Sequence, residues 1–315
     1  MTTLHVIYDL RFTPITFDFS TFMVIANAVK QVQGLKRMHV LIAGRHYRRL
    51  SPRDIDTSDG EKKWRLHHIL SQVPYLIPET SVTLEGTIDT DGFDLLRFPL
   101  FPEFYNPNLS EKVLRETYAT LYSMQYLRNF QSSNIDLLPF CAPHILPAGQ
   151  NLVMPSRTVT ITLRTSKFNP ELNSRLDEWA KFAHYLQQKG LSVVVIPDFE
   201  DLMIDRIVYE KFPRATVHES AAYSLFIRAK LYQSAQHNFG VSNGVMSILW
   251  FSKNSYSLWF KTSENIKSAS VGFLKSFHNI IYGNKPNFAM DNQHWIWSSD
   301  TFENLRAHFD SLRTL

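Results

Sequence analysis

Between Thr158 and Asp198 the chain runs through a complete alternation of patterns. Val159, Ile161 and Leu163 alternate with threonines, a period of two that predicts a β-strand. Leu176, Trp179, Phe182, Ala183 and Leu186 then recur at spacings of three and four, the apolar stripe of a helix. Gly190 is placed to end that helix in the left-handed conformation. Val193 to Ile196 is a short continuous apolar run, as expected of a strand buried on both faces of a parallel sheet. Strand, helix and strand make a βαβ unit.

The same alternation opens the chain. Leu4, Val6 and Ile7 predict a strand with Asp9 and Arg11 at its carboxyl end. Phe19, Phe22, Ile25, Ala26, Val29 and Val32 predict a helix stopped at Gly34, and Met38 to Ala43 the next strand, with Gly44 opening a basic loop. A helix around Trp64 to Val73, a strand near Ser81 to Glu85 and an Asp91-Gly92 turn follow. Phe98 to Pro107 reads as a packed loop, and Ser110 to Phe130 as one long helix capped by Ser110. Pro139, Pro143, Pro147, Gly149 and Pro155 mark Leu137 to Pro155 as a linker. The second half continues with a short strand at Ala215 to Val217, a helix from Tyr223 to Gln233 and a strand at His237 to Val241. A turn at Ser242-Asn243-Gly244, a helix from Val245 to Phe251, a strand at Ser257 to Phe260 and a last helix, Thr301 to Leu312, complete it. The expected class is α/β, with two Rossmann-like domains facing a cleft, residues 1–150 and 151–315.

Composition narrows the classes without changing that picture. A chain of 315 residues suffices for two ordinary domains, and 44% hydrophobic with 20% charged residues is the balance of a globular protein. The lone Cys141 excludes an intramolecular disulfide and a multi-cysteine metal cluster. The start, MTTLHVIYDLRF, has no basic leader with an apolar core, and no apolar run reaches the roughly 18 residues of a spanning helix. A cytoplasmic protein is expected. The net charge of +4 is concentrated: Arg45, Arg48, Arg49 and Arg53 crowd one loop, and Lys62, Lys63, Arg65, His67 and His68 follow. This patch is either a solvated loop or an attractor for an anionic saccharide, a lipid-phosphate acceptor or an acidic membrane, which would place the protein peripherally at the inner membrane. No recognition motif accompanies it, so nucleic acid is not an expected partner.

Candidate chemistry follows from position in the sheet. Ligands of open α/β sheets sit beyond the carboxyl ends of strands. Arg164, with Lys167 close behind, stands where such a strand opens into its loop and points to a phosphate-bearing ligand; pairing with an acidic neighbour is the alternative. Asp198 ends the following strand. Ser242, Asn243 and Gly244 form a turn between strand and helix, where free N–H groups and the helix dipole favour a pyrophosphate, unless the turn is simply a tight connection. Glu219 either caps the next helix or contacts a ribose. Asp9 and Asp18, near the first strand, are candidate bases for an acceptor proton, with Glu103 a third. Their duller roles are a turn cap for Asp9 and the N-cap of the Phe19 helix for Asp18. Two classes are excluded: G-x-x-x-x-G-K-[ST] and the i, i+4 histidine pair with glutamate are absent. Gly240 to Gly244 do read G-x-S-x-G, but Ser242 lacks an obvious His/Asp chain order for a hydrolase. The first strand-to-helix connection, DLRFTPITFD, has no glycine for a dinucleotide fold. The acidic cluster in the second half is Asp198, Glu200 and Asp201.

The run SNGVMS, Ser242 to Ser247, resembles the D-S-G-P-M-H donor loop of bacterial heptosyltransferases. Gly244 and Met246 match, while Ser242, Val245 and Ser247 replace its acidic residue, proline and histidine. ITLRTS resembles the H-x-R strand-to-loop region of the fucosyltransferase superfamily, with Arg164 at the arginine and Thr162 at the histidine. Over roughly residues 158 to 260 the chain is thus similar to GT-B glycosyltransferases. The resemblance implies an acceptor-side N-terminal domain, a nucleotide-sugar-binding C-terminal domain and a terminal helix crossing back onto the first. It implies a nucleotide-sugar donor and a saccharide or lipid-linked acceptor in surface-polysaccharide biosynthesis. No cofactor and no metal are expected, because Arg164, Lys167 and the N–H groups at Asn243 and Gly244 can serve the leaving diphosphate. A pyruvyl transferase on the same scaffold, and a non-catalytic GT-B protein binding a saccharide or a partner, are the rival expectations.

Overall fold

The computed structural model describes residues 2–44, 59–86, 98–106, 108–131, 134–144, 152, 154–203 and 206–312. The chain divides into two units, Met1–Cys141 and Ala142–Leu315, at a point inside the proline-rich stretch. The Arg45–Arg53 patch and the Asp91-Gly92 turn lie outside the described residues.

In the first unit β1 (Thr3–Asp9), β2 (Arg37–Ala43), β3 (Thr80–Gly86) and β4 (Leu100–Phe101) form a parallel sheet in the order β3-β2-β1-β4. The supposed packed loop at Phe98 therefore contributes a strand beside β1. Helix α1 (Asp18–Val32) buries every residue from Phe19 to Ala28, more than one stripe. It can do so because it is apolar nearly all round and is covered from two sides. Phe19 and Phe22 pack edge-on to Tyr8 of β1 at 4.5 and 5.0 Å, and Phe22 meets Phe101 at 5.1 Å and Tyr118 at 6.1 Å. Tyr118 belongs to α2 (Glu111–Thr120), whose cap is Ser110 as expected, its hydroxyl accepting the Val113 N–H. The single long helix to Phe130 is not found. Ser123 adopts an extended backbone and accepts the Gln125 N–H, starting a separate 3-10 segment at Met124. A serine hydroxyl that competes for backbone N–H groups breaks the helix there.

In the second unit β5 (Thr158–Thr162), β6 (Ser192–Ile196), β7 (Thr216–Val217), β8 (His237–Val241), β9 (Tyr256–Trp259) and β10 (Gln293–Ile296) are all parallel, in the order β10-β9-β8-β5-β6-β7. Numbered within the unit from the β7 end, that order is 3-2-1-4-5-6, the doubly wound nucleotide-binding arrangement. Strand β10 was not expected from the sequence; its four residues carry a buried Gln293, whose amide donates to Ser252 O and Asn254 O.

Strand β5 is buried on both faces. Val159 and Ile161 pack into the main core beside Trp179 and Phe182 of α3 (Leu176–Gln188). The threonines on the other face are buried too, and each has a partner: Thr160 Oγ1 donates to Asn238 Oδ1 at 2.6 Å, and Thr162 Oγ1 meets the Tyr232 hydroxyl at 2.9 Å. Tyr232 comes from α4 (Leu225–Ser234). Buried hydroxyls are tolerated when paired in this way. Helix α3 ends as expected: Gly190 has φ +78°, its N–H bonds Gln187 O, and Leu191 N–H bonds Leu186 O.

The terminal helix α5 (Phe302–Ser311) is capped by Thr301. Leu305 and Phe309 are buried in the core of the second unit, with Phe302 and Leu312 packed against it. Phe309 meets the rings of Phe182 and Tyr185 edge-on at 6.2 and 6.0 Å. The apolar stripe of this helix covers α3, adding Leu305 and Phe309 to the core that holds Phe182. Among the described residues no helix is long and apolar enough to cross a membrane.

Candidate functional site

The order of strands in the second unit reverses between β5 and β8, and crevices at such reversals are where open α/β sheets bind ligands. Arg164 follows β5 and the Ser242–Gly244 turn follows β8, so the structure brings these two predicted elements to one place. The β5–β8 contact is close because Gly240 pairs with Thr162: a Cβ at Gly240 would lie 2.9 Å from Thr162 O and from the Met246 terminal methyl.

Arg164 is buried, and its guanidinium turns into its own loop. Nη2 donates to Phe168 O at 2.6 Å, and Nη1 donates to Asn169 O at 3.0 Å and to Asn173 Oδ1. No carboxylate forms an ion pair with it among the described residues, so the alternative of an acidic partner at the sheet edge is not what is found. Burial lowers its pKa, opposed by Asp198 and Glu200 at longer range. The loop is further tied down by those acids. Asp198 accepts the Thr165 N–H at 3.2 Å and Glu200 accepts the Lys167 N–H at 2.7 Å and the Ser166 hydroxyl at 3.2 Å. Asp201 accepts the Val208 N–H. The acidic cluster thus anchors backbone, and Lys167 meets it through its amide.

Across the crevice Asn243 is extended and its side chain accepts the Met246 N–H at 3.2 Å. The helix expected at Val245 is instead a 3-10 turn, Gly244–Met246, followed by one turn, Ser247–Trp250. So short a helix has little dipole to offer an anion. The Asn243 cap also takes one of its N–H groups, leaving those of Gly244 and Val245 without a protein acceptor among the described residues. Ser242 accepts the Lys261 N–H at 3.4 Å.

Lys261 was not singled out in the sequence. It stands just past β9, largely buried, with Nζ 2.8 Å from Asp300 Oδ1 and donating to Asn173 O. Asp300, itself buried, also accepts the Arg175 N–H at 3.0 Å and Trp179 Nε1 at 2.9 Å. Nothing in the local pattern marks Lys261; one signal available was its place two residues beyond an apolar strand.

Glu219 does not cap the segment after it: Glu219 is the boundary residue, but its carboxylate accepts from Arg206 Nη2 at 2.9 Å and from the Tyr209 hydroxyl. A cavity of about 700 Å³ bordered by His218, Thr216 and Ile227 extends along β6 to Leu191 and Gln187, toward the amino end of that strand.

The strand order of the first unit reverses between β1 and β4, and Asp9 stands there. It is fully buried and both oxygens are taken. Oδ1 accepts the Arg11 N–H at 3.0 Å, the turn role weighed for this residue, and Oδ2 pairs with Arg11 Nη2 at 2.6 Å and accepts the Tyr105 hydroxyl at 2.9 Å. The hydrogen bond to Asp9 raises the pKa of Arg11, and burial followed by the Asp9 charge raises that of Tyr105. Asp18 is not the N-cap of α1; Phe17 is at that position, and Asp18, in the first turn and exposed, accepts the Thr16 hydroxyl at 2.7 Å. Glu103 accepts from Gln33 at the surface.

No family model matches the chain, and no curated protein matches it in sequence. Among solved structures it is similar to a glycosyl transferase family 9 protein from Veillonella parvula DSM 2008, with 9% identity, TM-score 0.50, and 100% of this chain and 92% of that one covered. The likeness is one of fold. It shows the GT-B-like architecture of two Rossmann-like units that the sequence led one to expect. E. coli ADP-heptose lps heptosyltransferase II (11% identity, TM-score 0.48, covering 99% and 98%) and E. coli heptosyltransferase WaaC with ADP-2-deoxy-2-fluoro heptose (8%, TM-score 0.41, 98% of each chain) are also similar.

Proposed function

We propose that the second unit holds the diphosphate of a nucleotide-sugar in the β5–β8 crevice, and that the protein transfers the sugar to a saccharide or lipid-linked saccharide. The observation that carries this reading is the gathering of two cations, the buried Arg164 and the part-buried Lys261, on Asn173 at the reversal of strand order, Arg164 without a carboxylate of its own. The fold likeness to a glycosyl transferase family 9 structure adds an analogy of scaffold. Glycosyl transfer must stabilise a departing diphosphate, and fixed cations with N–H donors in a part-buried site do this without reorganising. Arg164 contributes charge and holds the loop; the N–H groups of Gly244 and Val245 face the same ligand, and no metal is needed for this step.

The acceptor hydroxyl must lose a proton. Of the two carboxylates expected near the first strand, Asp9 has both oxygens engaged by Arg11 and Tyr105, whereas Asp18 is exposed and bonds only Thr16 among the described residues. Asp18 is therefore the proposed base, and Asp9 a residue that holds the turn at the end of β1. The Arg45–Arg53 patch would serve contact with an acidic membrane carrying a lipid-linked acceptor.

The test is a thermal-shift screen with ADP, GDP, UDP, CMP and CoA. A ligand bound only by the folded state at 100 times its Kd stabilises by about 2.7 kcal/mol, which a melting curve resolves. A shift with one nucleoside diphosphate, followed by release of that diphosphate from its nucleotide-sugar when an acceptor is added, supports transfer. Binding without turnover would leave a non-catalytic saccharide binder, and no shift with any nucleotide would overturn the reading.

A further inference from the structure

Lys261 and its surroundings go beyond a nucleotide site in outline. Its Nζ lies 2.8 Å from Asp300 Oδ1, and Arg175 Nε lies 3.7 Å from the same oxygen. Asn173 accepts Arg164 through its side chain and Lys261 through its carbonyl, so one residue joins two cations. Lys261 and Arg175 share one buried carboxylate, and Arg164 is joined to Lys261 through Asn173. Three cations with one close carboxylate among them leave positive charge to be met by an anion. Burial lowers the pKa of Lys261, Asp300 pulls it back up, and Arg175 and Arg164 push it down again.

We infer that Lys261 is a direct ligand of the anion in this crevice and that Asp300 is the residue that positions it. On the reading given above, on which this rests, that anion is the diphosphate. A lysine ammonium has three donors; one bonds Asn173 while the charge is paired with Asp300, which leaves donor capacity for a phosphate oxygen. Asp300 is suited to its part because its other oxygen is fixed by the Arg175 N–H at the start of α3 and by the indole N–H of Trp179. Its carboxylate therefore cannot follow the lysine, and the ammonium is held at one spot on the crevice wall.

The experiment measures binding of inorganic pyrophosphate and of ADP, GDP and UDP by calorimetry to the full chain, to Lys261→Met and to Lys261→Arg. Methionine fills the buried stem without a charge, and near-UV dichroism checks that the variant is folded. Loss of one charged hydrogen bond predicts pyrophosphate binding about 10- to 100-fold weaker in Lys261→Met, with most of it restored in Lys261→Arg. The wild type should also lose affinity toward high pH, as Lys261 is deprotonated, relative to Lys261→Arg, which does not titrate in that range; a merely structural lysine would show no such difference. If the wild type binds pyrophosphate and folded Lys261→Met binds it equally well, the inference is overturned and the nucleotide reading stands or falls on the nucleotides alone. If pyrophosphate binding depends on Lys261 but no nucleoside diphosphate binds more tightly than pyrophosphate, the nucleotide reading falls and the inference holds. A wild type that binds none of these anions overturns both.

Discussion

Acidification should destabilise the second unit through one buried histidine. His237 opens β8 with its Nε2 2.7 Å from Ser257 Oγ, and the same hydroxyl lies 2.7 Å from His308 Nε2. Serine has one proton, so in the neutral state one imidazole donates to it and the other accepts from it. The rings of His294 and His308 are 5.2 Å apart, and those of His237 and His294 6.2 Å. Burial first, then the charges that His294 and His308 would carry, push His237 down to about 3. An unfolded histidine titrates near 6.5, so between those values the unfolded chain binds a proton that the folded one refuses. The stabilisation is complete above neutral pH and is lost as pH falls below about 6.5. At pH 5 the loss from His237 is about 2 kcal/mol relative to pH 8, with a slope of about 1.4 kcal/mol per pH unit. His308, pushed down to about 4 by burial and by His294, adds in the same direction, by less because its ring is partly exposed. The assay is urea unfolding at pH 8, 7, 6 and 5 for the wild type and His237→Gln. Five of the six tryptophans lie in the second unit, so tryptophan fluorescence follows it. Glutamine still bonds Ser257 but does not titrate, and comparing the change from pH 8 to pH 5 cancels its packing cost. His237→Gln should lose about 2 kcal/mol less than the wild type over that interval. Equal losses in the two proteins would refute the reasoning.

Gly240→Ala should destabilise the second unit by about 1–3 kcal/mol, since its Cβ would press on a backbone carbonyl of β5 as well as on Met246; an unfolding free energy unchanged within about 0.5 kcal/mol would show that the β5–β8 contact is looser than drawn. Asp18→Asn and Asp9→Asn separate the two carboxylates of the first unit. The former should lower transfer turnover with donor affinity and stability unchanged, whereas the latter, which breaks the pair with Arg11, should cost about 1–3 kcal/mol of stability, read by urea unfolding. Wild-type turnover in Asp18→Asn would remove it as the base.

The pattern of apolar positions was enough for the elements that bury themselves by local rules. The βαβ unit from Thr158 to Ile196, its glycine stop, strand β8 and the last helix stand close to where their periodicity puts them. The breaks were less legible. Ser123 ends a helix whose apolar positions continue beyond it, and β10 is too short and too polar to announce itself, because the amide of its buried glutamine is paired with carbonyls distant in sequence.

For the site, sequence alone determined which residues stand at the carboxyl ends of strands, because strand ends are local facts. That put Arg164 and the Ser242 turn in consideration. Only the tertiary structure decided what those side chains do. Hydrogen bonding is short-ranged and directional, so it depends on which loops the strand order brings together. It turns Arg164 into its own loop, commits Glu219 to Arg206 and Tyr209, and saturates Asp9 with Arg11 and Tyr105. It also joins Lys261 to Asn173 and Asp300, residues 88 and 39 positions away, a pairing that no periodicity along the chain encodes.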